Sequence, residues 1–252
     1  METVSAQWPA VGSRGLESEP LNILAIDTST IRAAVAVSTR GGEVHVAPAG
    51  GDRQHGRTLL PSVRATLGAA GLTAGDLDLV AVGLGPGSYT GLRIGLTAAK
   101  TLAYATGRPL VGLDSLESIA RNAPADAGRV TVVADAQRGD YYTADFVRQE
   151  PEGPLIRLMP TRIEPQQLLT GRFEAGVFVL GPALERLRPA LPPFARAADA
   201  ESNWPEGPHL LRLAREAWDA GLRADTLFVE PYYLRRSAAE DLWDARGRRG
   251  GS

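Results

Sequence analysis

Leu79-Val80-Ala81-Val82-Gly83-Leu84-Gly85-Pro86-Gly87-Ser88-Tyr89-Thr90-Gly91 carries the first decision about fold. Its opening residues are apolar without alternation, as expected of a strand buried on both faces. A glycine-rich turn follows. From about Thr90 to Thr106 the chain then reads as a helix, with Leu92, Leu96, Ala99 and Ala103 on one stripe and Gly107 to end it. Strand, turn and helix in this order are the unit of an α/β protein. The helix is apolar almost all round, because Ile94, Ala98, Leu102 and Ala105 lie off the stripe, and such a helix needs cover on more than one side.

Working outward, Pro109 to Leu113 gives the next strand, and Asp114-x-x-Glu117 has the spacing of a capping box opening a helix over Ser115 to Asn122. Upstream, Ile23 to Ile26 is a buried strand that ends in Asp27-Thr28-Ser29-Thr30. Ala33 to Val37 and Val44 to Val46 continue it as a meander through a turn at Gly41-Gly42. Leu59, Leu60, Val63, Leu67 and Ala70 then form a helical face that Gly71 closes, with Pro61 in its first turn or kinking it. Downstream the opening repeats. Arg129 to Asp135 and Tyr141 to Phe146 echo the strand, aspartate, turn and strand of residues 22 to 37, so that Asp27 and Asp135 hold equivalent places. A Pro-rich connection over Pro151 to Pro165, a strand at Val177 to Leu180, a helix near His209 to Ala220 and a last strand over Phe228 to Leu234 complete the reading. It divides the chain into an extension over 1–20, a first lobe over 21–108, a second lobe over 109–236 and a tail over 237–252. Both ends read as disordered, being rich in Ser, Gly, Pro and charge.

The 252 residues include no cysteine and three histidines, and the formal net charge is −2. Disulfides, thiolate metal sites and cysteine nucleophiles are thereby excluded, in keeping with a reducing cytoplasm. The balance of charge is not that of an autonomous nucleic-acid binder. No apolar run is long enough for a bilayer, and Glu2 stands where a signal peptide wants positive charge.

Two readings of the glycine turn stay open. Backbone amides and the helix dipole can hold an anion at such a turn; a tight strand-to-helix connection needs the same glycines. No Gly-Lys-Ser/Thr follows, and Pro86 removes one donor. Asp27, Thr28 and Ser29 can likewise hold a magnesium-bound phosphate or make a hydrogen-bonded turn. With Asp135 opposite, these residues and Gly85, Gly87 and Ser88 read as loops of an ancestral phosphate fold facing a cleft. His45, His55 and His209 are scattered, so no transition-metal site or metal cofactor is expected. Ser88 has no Gly-x-Ser-x-Gly context and no evident base, which leaves no catalytic residue to name.

Ile26 to Thr30, His55 with Leu59-Leu60-Pro61, Gly83 to Arg93 with Lys100, and Pro109 to Leu116 together closely resemble the TsaB family of bacterial tRNA threonylcarbamoyladenosine biosynthesis proteins, also labelled glycoprotease-like. The resemblance is strong over residues 21 to 120 and thinner at Asp135 to Arg138 and Pro231 to Arg235. It implies two duplicated lobes of the actin-like or sugar-kinase-like ATPase fold, with mixed sheets flanked by helices. It further implies a non-catalytic, dimerising and activating subunit for a TsaD-like catalytic subunit, working with a TsaE-like ATPase and meeting tRNA through the complex. The catalytic relative's His-x-x-x-His metal motif corresponds here to Ser115-Leu116-Glu117-Ser118-Ile119, which offers neither ligand. Gly181-Pro182-Ala183 replaces the family's more usual Gly-Asn-Gly turn, and Ala239 to Trp243 lies beyond the family's usual core. The partner is expected on the first two helices, through Leu59, Leu60, Val63, Leu67, Leu92, Gly95, Leu96, Ala98, Ala99 and Ala103. The rival readings are a metallopeptidase, a small-molecule kinase of the same fold, and a homodimer of this chain alone.

Overall fold

The computed structural model describes residues 19–48 and 55–235. A five-strand sheet and a six-strand sheet built on the same plan dominate it. In the first, β1 (Ile23–Asp27), β2 (Ala34–Ser38) and β3 (Val44–Val46) form an antiparallel meander, and β4 (Leu79–Gly83) and β5 (Leu110–Leu113) extend it in parallel from β1, giving the order β3-β2-β1-β4-β5. In the second, β6 (Arg129–Asp135), β7 (Asp140–Val147) and β8 (Ile156–Arg157) form the meander, and β10 (Phe178–Leu180) and β11 (Arg196–Ala197) run parallel to β6. β9 (Arg162–Pro165) also pairs with β7. Meander plus two parallel strands, in the same spatial order twice, is the duplication that the echo of Asp27 in Asp135 predicts and the actin-like plan that the family resemblance implies.

Helices on both faces bury the first sheet. On one face lie α1 (His55–Ala69) and α2 (Tyr89–Thr106), whose Leu59, Val63, Leu67, Leu96, Ala99 and Ala103 pack on Leu24, Ile26, Val35, Val80 and Val82. On the other lies α6 (Gly207–Asp219), with Leu210, Leu211, Leu213, Ala214 and Ala217 on Ile23, Ala25, Leu79, Ala81 and Val111. The second sheet is covered by α3 (Ser115–Ala120), α4 (Gln166–Gly171) and α5 (Leu184–Leu187) around Val130, Val132, Phe146 and Val179. Local signals act as the sequence implies. Ser88 caps α2 by accepting the Gly91 amide at 3.2 Å, Gly107 ends it at φ 67°, and Asp114 caps α3 by accepting the Glu117 amide at 3.0 Å.

Pro61 sits inside α1, in its second turn, which removes the first-turn alternative and leaves the other. Three expectations are corrected. The 151–165 connection holds β8 and β9, whose pairing with β7 satisfies backbone groups there. Phe228 to Leu234 is not a strand; residues 224–235 form an extended strap along the first lobe. A division after residue 108 cuts through the first sheet, because β5 pairs with β4, and α6, far along the chain, returns to cover that sheet. The calls for 1–18 and 236–252 lie outside the described residues. Among the described residues no helix is long and apolar enough to cross a membrane.

Candidate functional site

The loop after β1 and the glycine turn after β4 are locked into each other. Asp27 is 0% exposed, and its Oδ1 accepts the Ser29 amide at 2.7 Å. A Cβ on Gly83 would stand 2.0 Å from Asp27 Oδ2, so only glycine lets the two parallel strands hold this carboxyl between them. Thr28 Oγ1 donates to the Gly91 carbonyl at 2.7 Å and fills the place of a Cβ on Gly95, which would lie 2.1 Å from it. The Ser88 amide donates to the Ser29 carbonyl at 2.7 Å, and a Cβ on Gly87 would lie 2.3 Å from that oxygen. From the far side His55 Nε2 donates to the Thr30 carbonyl at 2.7 Å.

Burial pushes the Asp27 carboxyl up from its ordinary range; the hydroxyls of Ser115 and Ser29 pull the other way, and the charge of Asp114 adds to the rise. Its Oδ2 makes no hydrogen bond of good geometry. Of the two readings of the glycine turn, the tight connection accounts for these contacts. The Ser29 carbonyl occupies the concavity of the turn and takes one of its amides, and Ser88 Oγ takes another.

The second lobe repeats the local geometry without the burial. Asp135 Oδ1 accepts the Gln137 amide at 2.7 Å, as Asp27 does with Ser29, but Asp135 is exposed and paired with Arg186 at 2.7 Å. At the end of β10 the Gly181 amide is taken by Asn203 Oδ1 at 2.8 Å, ahead of Pro182. Asp27, Thr28, Ser29, Gly85, Gly87 and Ser88 are thus brought together, while Asp135 stands in the other lobe against its own arginine.

The ten residues expected at a partner interface are corrected by burial. Leu59, Val63, Leu67, Leu92, Gly95, Leu96, Ala99 and Ala103 are consumed by the first lobe's own sheet or loop. Leu60 is 58% exposed and Ala98 is half-buried, and these two remain on the outer surface. Around them the outer surface of α1 and α2 adds Pro61, Arg64, Ala65, Thr97, Thr101 and Tyr104. The stripe seen in the sequence is a core stripe; the free surface lies a third of a turn away.

His55 was legible as part of a motif but not as a buried tie, and Gly91, Gly95 and Ser115 gave no sign of their packing roles. The strap was missed as well. Its Ala224 amide bonds the Leu110 carbonyl, Lys100 Nζ donates to the Leu227 carbonyl at 2.9 Å, and the Tyr232 amide bonds the Leu84 carbonyl. Tyr233 stacks on Tyr89 with centroids 4.9 Å apart, and Arg235 pairs with Asp140 of the second lobe. Among the described residues no three His, Cys, Asp or Glu side chains gather as metal ligands.

The family model described as "TsaD: tRNA N6-adenosine threonylcarbamoyltransferase" matches residues 28–153. The chain is 30% identical to the tRNA threonylcarbamoyladenosine biosynthesis protein TsaB of Escherichia coli over 235 residues, which span 87% of this chain and 96% of that one. An uncharacterised protein of Mycobacterium tuberculosis is 34% identical over 230 residues, covering 87% of this chain and 94% of its own length. A solved structure, YeaZ from Pseudomonas aeruginosa, superposes with a TM-score of 0.73 at 30% identity, covering 85% of this chain and all of that one (100%). With near-complete coverage of a TsaB and the duplicated fold in common with YeaZ, the chain belongs to the TsaB family.

Proposed function

We propose that the chain is the non-catalytic subunit of a cytoplasmic complex that makes threonylcarbamoyladenosine in tRNA, holding and activating a TsaD-like subunit through the outer surface of α1 and α2. A TsaE-like ATPase joins the pair, and tRNA is met through the complex. The observation that carries this reading is the lock between Ser29 and the glycine turn: the place where an enzyme of this fold would seat a phosphate is filled by the chain's own backbone. Family membership supplies the pathway, and the apolar residues left outside on the first two helices supply a docking surface.

The test is co-expression with the TsaD-like relative from the same source. The two chains should copurify, and transfer should require both. Ala98→Glu places an unpaired charge among packed helices and should weaken assembly by about tenfold or more, with circular dichroism unchanged. Ala99→Arg is the wrong variant for this purpose, since Ala99 faces the sheet and is fully buried. Unchanged assembly of Ala98→Glu, or peptide hydrolysis or sugar phosphorylation by the chain alone, would overturn the reading.

A further inference from the structure

The chain passes between its lobes twice. It leaves the first sheet at the end of β5 and enters the second core through α3, and it returns between β11 and α6. Two crossings leave one freedom, a hinge rotation about the line that joins them. Side-chain ties stand beside the return crossing. Arg121 pairs with Glu216 at 2.6 Å, Arg32 pairs with Glu201 at 2.8 Å, and Asn122 Nδ2 donates to the Trp204 carbonyl at 2.8 Å.

The strap over residues 224–235 makes a third connection at a separate place. It starts on the first lobe, where the Ala224 amide donates to the Leu110 carbonyl of β5 at 2.8 Å. It then passes over α2. Leu227 and Phe228 are 69% and 77% exposed, so burial does not hold this stretch. Lys100 holds it instead. Its Nζ donates to the Leu227 carbonyl at 2.9 Å and to the Val229 carbonyl at 3.4 Å, which uses two of an ammonium's three donors. Lys100 is the chain's only lysine.

Beyond Lys100 the strap reaches the junction of the lobes. The Tyr232 amide donates to the Leu84 carbonyl at 2.8 Å, so the glycine turn is tied to the strap as well as to Ser29. Burial pushes the Tyr232 hydroxyl up, and the charge of Asp114 adds to the rise while that of Arg157, on β8 of the second lobe, opposes it. Tyr233 Oη accepts Arg93 Nε at 3.1 Å. The strap ends on the turn between β6 and β7, where Arg235 pairs with Asp140 and donates to the Gln137 carbonyl at 3.2 Å. Gln137, Arg138 and Gly139 are three successive residues at positive φ, a backbone that persists only where its surroundings fix it.

We propose that residues 224–235 are a brace that fixes the angle between the two lobes, with Lys100 and Arg235 as its fastenings on either side. A third attachment away from the two crossings removes the hinge rotation, and the lobes move as one body. The brace acts within the chain alone, whatever binds α1 and α2.

Because the sequence has no cysteine, two spin labels can be placed without background. Ala69→Cys on α1 and Gln167→Cys on α4 put one exposed label on each lobe. Electron–electron distance measurements should give one narrow distribution in this parent. Adding Arg235→Ala, Asp140→Asn or Lys100→Met should broaden it about twofold or more, with circular dichroism unchanged. A second readout needs no labels. The single lysine is acetylated with a succinimidyl ester, and mass spectrometry compares its rate with that of the N-terminal amine. Tied to two carbonyls, Lys100 should react slowly, and Arg235→Ala should raise its rate about threefold or more as the strap lifts. A distribution already broad in the parent, or one that none of the three substitutions changes, would overturn the inference. So would a Lys100 rate that Arg235→Ala leaves as it was, since the strap would then not act as one unit.

Discussion

Asp27 is an acid placed where ionisation is costly. Its folded pKa is raised, first by burial, above the ordinary 3.8. In an unfolded chain the carboxyl ionises freely as pH rises through that value, whereas the folded protein resists, so the group subtracts stability increasingly with pH until the folded carboxyl ionises too. Asp27→Asn keeps an Oδ1 for the Ser29 amide and offers Ser115 a donor. It should therefore be more stable than wild type by about 1–2 kcal/mol near pH 8, with the gain vanishing as pH falls towards 3.8. Denaturant titration across that range is the measurement, and a gain largest at acid pH would contradict the argument. The sequence made the Asp27 motif legible as a motif and left its chemistry open. Asp-Thr-Ser reads alike as a phosphate loop or as a turn, and only the missing room at Gly83, Gly87 and Gly95 decides between them. Space across 60 or so residues of chain leaves no periodic trace.

Among the elements, α2 was the most legible, because strand, glycines and an apolar run follow in order, and the least legible in orientation. A helix apolar all round does not say which face meets its own sheet. The structure assigns Leu92, Leu96, Ala99 and Ala103 inward and leaves Leu60 of α1 and Ala98 as outer neighbours. The short β8 and β9 were hidden because proline-rich segments weaken strand signals at a sheet margin. α6 was found by its period, yet nothing in its sequence tells which sheet it covers. Its docking carries a pH signature. His209, in its first turn, has a pKa lowered from 6.5 to about 4 by burial, and then by Arg212 and Arg121. A base depressed in the folded state contributes no penalty above its unfolded value, and stability is lost as pH falls from 6.5 towards about 4, where the unfolded chain alone takes up the proton. His209→Gln should flatten that acid limb while changing little at pH 8. Thermal melts that keep the same slope between those values in both proteins would refute it.

The duplicated strand order joins both lobes into a plan that other proteins use for nucleotides, and in this chain both turns are internally satisfied: Ser29 in one lobe, Arg186 and Asn203 in the other. Titration of ATP with magnesium into the isolated protein should give no saturable heat, corresponding to a Kd weaker than about 1 mM. Micromolar binding would mean that the Ser29 lock opens and would restore the kinase reading. The duplication was readable from the Asp27 and Asp135 echo, while the crossing of the chain back to its beginning was not, because contacts between distant segments have no local signature. That crossing bears on biosynthesis. The face of the first sheet formed by Ile23, Ala25, Leu79, Ala81 and Val111 gains its cover only when Gly207–Asp219 arrives. At about 5–20 residues per second a ribosome leaves that greasy surface waiting for several seconds, a nascent-chain hazard of the kind that chaperones at the ribosome relieve. Messages truncated before α6 should yield aggregates rather than a free-standing N-terminal half.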